Sequence, residues 1–150
     1  MPGIIVGIDG SSHSRRALEW AVREAAVRQV PLTVITIHQV ASSAWTGQGI
    51  MYAQDEELAT QARKSAQEET DDVLEQAGDK RPPQVTVKAV SGLPAEQLLA
   101  AAAAEGADML VIGSRGSGGF SRLLLGSVSS QVTHHATCPV VIIPGADRHR

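Results

Sequence analysis

Polar and apolar positions along this chain switch repeatedly between two periods. Ile4 to Asp9 is a short β-branched run with nearly continuous apolar residues, which predicts a strand covered on both faces. Gly10-Ser11-Ser12 interrupts it and offers capping residues for a helix. From His13 to Gln29, Ala17, Ala21 and Ala25 recur at helical spacing beside Leu18 and Val22, while Arg15, Arg16, Arg23 and Arg28 supply much of the polar remainder. That is an amphipathic helix. Pro31 marks its exit, and Leu32 to Ile37 reads as a second strand ending at His38. Ala41 to Gln54 shows neither period and predicts a mobile loop, long for a connection within a compact domain. Asp55 to Ala77 returns to a helical pattern, with Leu58, Ala62, Ala66, Val73 and Ala77 on or near one face and Gly78 as a stop.

Lys80 to Gln84, with Pro82-Pro83, reads as an exposed linker. Val85 to Val90 alternates Val85, Val87 and Ala89 with Thr86 and Lys88, the pattern of a strand with one wetter side, as at a sheet edge. Pro94 to Glu105 is an alanine-rich helix opened by proline and closed by Gly106. Met109 to Ile112 has the length and residue type of a buried strand and stops at Gly113. A further helix runs from Ser127, taken as its N-cap, to about Ala136, and Val140 to Ile143 forms a last strand between two prolines. Residues 146–150 have nothing to pack against and should fray. Strands alternating with helices in this order predict an α/β single domain over residues 1–150, with a parallel sheet and helices on both faces.

Composition narrows the picture. With two Trp, one Tyr and one Phe, the core must be aliphatic. A net charge of −3 with no basic block argues against a nucleic-acid partner. A single cysteine allows no internal disulfide, which suits a reducing cytoplasm, and the N-terminus carries no evident signal peptide. No apolar run approaches the roughly 20 residues that span a bilayer, so no membrane partner is expected.

The candidate chemistry lies between Asp108 and Val128. Glycines fall at 113, 116, 118 and 119 just after a buried strand, and Gly126-Ser127-Val128 opens a helix. Glycines let backbone N–H groups turn inward, and a helix N-terminus adds orphan donors, so the arrangement suits a phosphate. It is not a Walker loop, because no lysine follows the glycines, and it is a poor dinucleotide fingerprint.

Gly113-x-x-Gly116, nine intervening residues, then Gly126-Ser127, resembles the glycine signature of the ATP-binding branch of the universal stress protein family. Ile4-Ile-Val-Gly-Ile-Asp9-Gly-Ser near the start and Cys138-Pro-Val-Val-Ile-Ile-Pro144 near the end fit the same family. The resemblance implies a Rossmann-like, adenine nucleotide alpha hydrolase-like fold with a five-stranded sheet of order 3-2-1-4-5. That order puts the topological switch between the first and fourth strands, where Asp9 and Gly113 end, and ligands of open α/β sheets bind at such points.

On this reading the phosphate donors are the backbones of Gly113, Ser114, Arg115, Gly116, Ser117, Gly118 and Gly119, and of Gly126, Ser127 and Val128, with the Ser127 hydroxyl added. Arg115 brings positive charge as well. Asp9 admits two roles: capping the next helix, or bonding ribose hydroxyls and helping to hold a metal near the phosphates. The family implies that Gly7 lies where the chain nears the ligand and that backbone near Gln39 reads the adenine edge. The ligand expected is ATP, with Mg2+ as a companion and AMP or cyclic AMP as alternatives. Trp45, Met51 and Tyr52 place a lid hypothesis on the 41–54 loop.

His134, His135 and Cys138 give no closed metal-ligand set and read as structural, with Cys138 a packed small hydrophobe. Val140 to Ile143 would form an apolar sheet edge open to pairing, and family members dimerise through this strand, so a homodimer is expected. With no general base or activated nucleophile in view, the leading function is a nucleotide-dependent regulatory protein rather than an enzyme, with slow ATP hydrolysis or autophosphorylation the most chemistry expected. A phosphoacceptor signalling domain fits less well, because the neighbouring acidic pair, the mid-chain acceptor Asp and the late lysine are lacking. A ligand-free interaction module is the third class.

Overall fold

The computed structural model describes residues 2–38, 49–115 and 126–145. In chain order the elements are β1 (Ile4–Ile8), α1 (Ser12–Arg28), β2 (Leu32–His38), α2 (Gly49–Ala77), β3 (Val85–Ser91), α3 (Pro94–Glu105), β4 (Met109–Gly113), α4 (Ser127–His135) and β5 (Val140–Ile143). The strands form one parallel sheet in the order β3-β2-β1-β4-β5. β1 pairs with β2 on one side and β4 on the other, with Val6 opposite both Val34 and Val111.

Side-chain alternation sorts the core into two layers. Ile4, Val6, Ile8, Val34 and Val111 pack with Ala17, Leu18, Ala21 and Val22 of α1 and with Ala66 and Val73 of α2. Ile5, Ile35, Leu110 and Ile112 pack with Ala95, Leu98 and Ala102 of α3 and with Val132 of α4. Both layers are aliphatic, and each fully buried Leu, Ile or Val contributes roughly 1.5–3 kcal/mol through removal from water. Alanines at 17, 21 and 25, all wholly buried, let α1 lie close on the sheet. Ser11 caps α1 by accepting from the Ser14 amide, and Gln29 leaves it in the left-handed region at φ 55°. Gly106 closes α3 in the same way at φ 61°.

Four sequence expectations are corrected. α2 begins at Gly49, so residues 49–54, read as irregular loop, are helical. Nothing after Gly49 breaks a helix, and extending one already nucleated costs less than starting another. The rest of that loop, 41–48, lies outside the described residues, as does the tail 146–150. Leu58, assigned to the apolar side of α2, is exposed, while Thr70 is fully buried there. Thr70 is tolerated because its hydroxyl donates to the Ala66 carbonyl at 2.7 Å. Pro82, placed in an exposed linker, is buried. Finally, the N-cap of α4 is Gly126, not Ser127, which is the first helical residue.

Candidate functional site

The sheet's switch point lies between β1 and β4, because the chain leaves β1 for the face covered by α1 and leaves β4 for the face covered by α4. At the end of β1 the backbone turns sharply. Gly10 sits at φ +85°, where a side chain would be strained. Asp9 is exposed, its carboxylate Oδ1 accepting from the Ser11 amide at 3.0 Å. Its own amide donates to Ser14 Oγ at 3.1 Å, and Ser14 Oγ donates to the Ser11 carbonyl at 3.1 Å. Asp9 therefore orders the entry to α1 while presenting its carboxylate at the strand end.

β4 ends at Gly113, which pairs in register with Ile143 of β5. Gly113 has no room for a side chain: a Cβ there would lie 3.0 Å from the backbone carbon and oxygen of His13. The first turn of α1 is thus seated directly on the end of β4. Ser114 is buried and wholly engaged along its backbone. Its amide donates to the Ile143 carbonyl at 2.9 Å, and its carbonyl accepts from the Gly126 amide at 2.7 Å. Ser129 Oγ reinforces this junction, 2.9 Å from the Ser114 carbonyl and 3.2 Å from that of Gly126. The glycine loop leaves the sheet at Arg115 and returns at Gly126 through a closed neck.

These bonds change the donor set expected from sequence. The amides of Ser114 and Gly126 are spent on protein carbonyls. Among the described residues α4 begins with no side-chain cap, because its N-cap is Gly126, in contrast to α1. Ser127 is exposed and Val128 partly buried. Gly7 sits in the core, where a Cβ would be 3.0 Å from the Leu98 side chain, and its missing side chain makes room for α3. Gln39, Gly116, Ser117, Gly118 and Gly119 lie outside the described residues. The site thus gathers Asp9, Gly113, Ser114, Arg115, Gly126, Ser127 and Val128 at one end of the sheet.

Three features were missed from sequence. Ser129 is buried at the loop neck, and only its place two residues after Ser127 hinted at it. His13 packs on Gly113. The third is a charge cluster beside Asp9: Arg15 binds Asp72 of α2 at 2.7 Å and Glu19 at 3.3 Å, tying the two helices together. Burial raises the Glu69 carboxyl above its ordinary range; the Arg15 guanidinium opposes this, and Asp9, Glu19 and Asp72 reinforce it. Cys138, half-buried against the α3/α4 layer, has its thiol raised by burial, the opposite of an activated nucleophile. His134 and His135 meet edge to face, 6.1 Å between ring centres. Among the described residues, no group of three His, Cys, Asp or Glu side chains is placed to hold a metal ion, and no helix is long and apolar enough to cross a membrane.

The family model for the universal stress proteins matches residues 2–144. The chain belongs to that family. It is 34% identical to the universal stress protein YxiE of Bacillus subtilis over 146 residues, covering 93% of this chain and 97% of that protein. It is also 34% identical over 157 residues to the universal stress protein Rv1996 of Mycobacterium tuberculosis, covering 97% of this chain and 49% of that protein, so it spans about half the length of that relative. Among solved structures, UspA of Lactobacillus plantarum shares the fold, with a TM-score of 0.78, 22% identity and coverage of 95% and 97% of the two chains. A universal stress protein crystallised in complex with cAMP is 27% identical with a TM-score of 0.66, covering 95% of each chain.

Proposed function

We propose that this chain binds ATP across the β1/β4 switch point and serves as a nucleotide-dependent regulatory protein in the stress response. The observation that carries the reading is the start of α4, without a side-chain cap among the described residues and held at the end of β4 by the Ser114–Gly126 bond, on the same end of the sheet as the exposed Asp9. Amides at a helix N-terminus favour anionic oxygens, and the glycines between Gly113 and Gly126 permit close backbone approach. Ser127 and Val128 then hold phosphate through their amides, Asp9 faces the ribose, and backbone near Gln39 meets the adenine. The described residues supply no closed metal set of their own. Mg2+ would therefore arrive with the triphosphate, with Asp9 as the carboxylate that meets it. Its chemistry there is charge neutralisation of the phosphates.

Pairing into a homodimer through β5 belongs to this reading. β5 is an edge strand whose four residues are all partly exposed, and such an apolar edge invites a second strand. A cyclic-nucleotide reading is favoured by the relative in complex with cAMP. Mass spectrometry of ligand released on denaturing freshly purified protein distinguishes ATP from AMP and cAMP. Calorimetry with ATP should give binding heat for the natural sequence and none for Gly116→Asp; absence of heat from both would leave an interaction module. Sedimentation should report a dimer, and a monomer independent of concentration would remove the pairing.

A further inference from the structure

The first half of α2 stands clear of the sheet. From Ala66 onward the helix lies on the core, with Ala66, Thr70 and Val73 buried, but none of residues 56–65 is buried and Leu58 is 46% exposed. A helical stretch with no packed side needs ion pairs along its own surface or a partner. Its charges do not supply the first. Glu56 and Glu57 are followed four residues later by Thr60 and Gln61, and the bases Arg63 and Lys64 come seven residues later, roughly 10 Å along the axis. None of these four charges forms an ion pair among the described residues. All four lie on the Thr60 side of the helix, within about 60° of it at about 100° per residue. The Thr60 hydroxyl is turned back on the helix, donating to the Glu56 carbonyl at 2.9 Å. Among the described residues, Thr60, Arg63, Lys64, Gln67 and Glu68 line a hollow of about 380 Å³ on this side.

We propose that this segment pairs antiparallel with the same segment of a second copy of the chain, about a two-fold axis at Thr60. Such an axis sets Glu56 of one copy opposite Arg63 of the other and Glu57 opposite Lys64, each twice, with Thr60 against itself. A parallel pair would stack acid on acid and base on base, and a partner of one charge sign would repel half of the segment. A surface that runs acid then base matches it in full, and the segment itself is such a surface. α2 packs on β2 and β3, whereas β5 is the far edge of the sheet. The contact therefore stands with or without pairing through β5, and the two together would build an assembly larger than a dimer. Exposed ion pairs are individually weak, which makes the association weak and salt-sensitive.

The test is sedimentation velocity at low salt and in about 1 M salt, where the screening length falls to about 3 Å. The samples are the natural chain, Glu56→Lys/Glu57→Lys, Arg63→Glu/Lys64→Glu, and a mixture of those two variants, with circular dichroism to establish folding. At low salt the natural chain should show an associated species that high salt removes. Each variant alone should associate about tenfold or more weakly, and the mixture should recover the association, because acid again meets base. A second reading is local. Treated with oxidised glutathione at low salt, Thr60→Cys should form a disulfide-linked dimer, and far less of it in high salt, since the axis brings the two thiols together; the natural chain is the control for Cys138. None of these substitutions touches β5, so a β5 pair would appear equally in every sample. Equal association by the natural chain and both variants overturns the proposal, as does a mixture no tighter than its components. So does a Thr60→Cys chain that stays unlinked at low salt, which would leave this face to a partner of another sequence.

Discussion

The Gly126 amide donates to the Ser114 carbonyl at 2.7 Å, so the glycine loop begins and ends at a single hydrogen bond. That bond fixes α4 to the end of β4, whatever path the intervening residues take. Ser129 is its support: a buried hydroxyl within bonding distance of both carbonyls at the neck. Ser129→Ala should cost about 1–2 kcal/mol, the usual loss for a buried hydrogen bond. Urea midpoints measure it, and a change smaller than the experimental error would show that the neck holds without the hydroxyl.

Two glycines should respond differently to a single methyl group. At Gly3 an added Cβ would lie 2.2 Å from the Pro31 carbonyl oxygen, which itself accepts from the Ile4 amide. At Gly7 the obstacle is the flexible Leu98 side chain at 3.0 Å. Gly3→Ala should therefore destabilise by about 1–3 kcal/mol or more, the range for forced overpacking, and Gly7→Ala by less. Thermal melts of the two variants side by side test this ordering, and its reversal would refute it.

Glu69 gives the fold a pH signature. Burial raises its folded carboxyl above the unfolded value, so the folded state binds the proton more tightly. Its contribution to stability is present at low pH and is lost as pH rises through the raised value. Glu69→Gln should be more stable than the natural chain near neutrality, and the gap should close as pH falls toward the ordinary carboxylate range. Melting temperatures across that range provide the measurement. A gap that widens at low pH would contradict the burial argument.

The Arg15–Asp72 bond joins α1 to α2 at 2.7 Å, but its carboxylate is half exposed. Solvent screening should hold the coupling in an Arg15→Ala, Asp72→Ala double-mutant cycle to about 0.2–1 kcal/mol. High salt should reduce it further. A coupling several times larger would mean that the pair is protected from water when the protein is in solution.

The order of elements, the aliphatic character of the core and the Ala17-Ala21-Ala25 seam were legible because hydrophobic period is a local property. The start of α1 and both ends of α3 were also legible, since Ser11, Pro94 and Gly106 are local chemistry. The start of α2 was not, because residues 49–54 carry no strong period and take their helix from the segment they precede. Thr70 was missed for a related reason: pattern counts it as polar, whereas a bond to its own helix lets it be buried.

At the site, glycine spacing and strand ends singled out Asp9, Gly113 and Gly126, and the family resemblance supplied the strand order that puts a switch point between the first and fourth strands. Only the tertiary structure decided that two of the expected donor amides are spent on protein carbonyls. Ser114 lost its donor to β5 and Gly126 lost its donor to Ser114, while the start of α4 stayed without a side-chain cap. It also set His13 against Gly113, from the opposite end of the chain. The reason is physical: turn and helix preferences act between near neighbours, but the partner of a hydrogen bond between elements is fixed by how strands and helices pack.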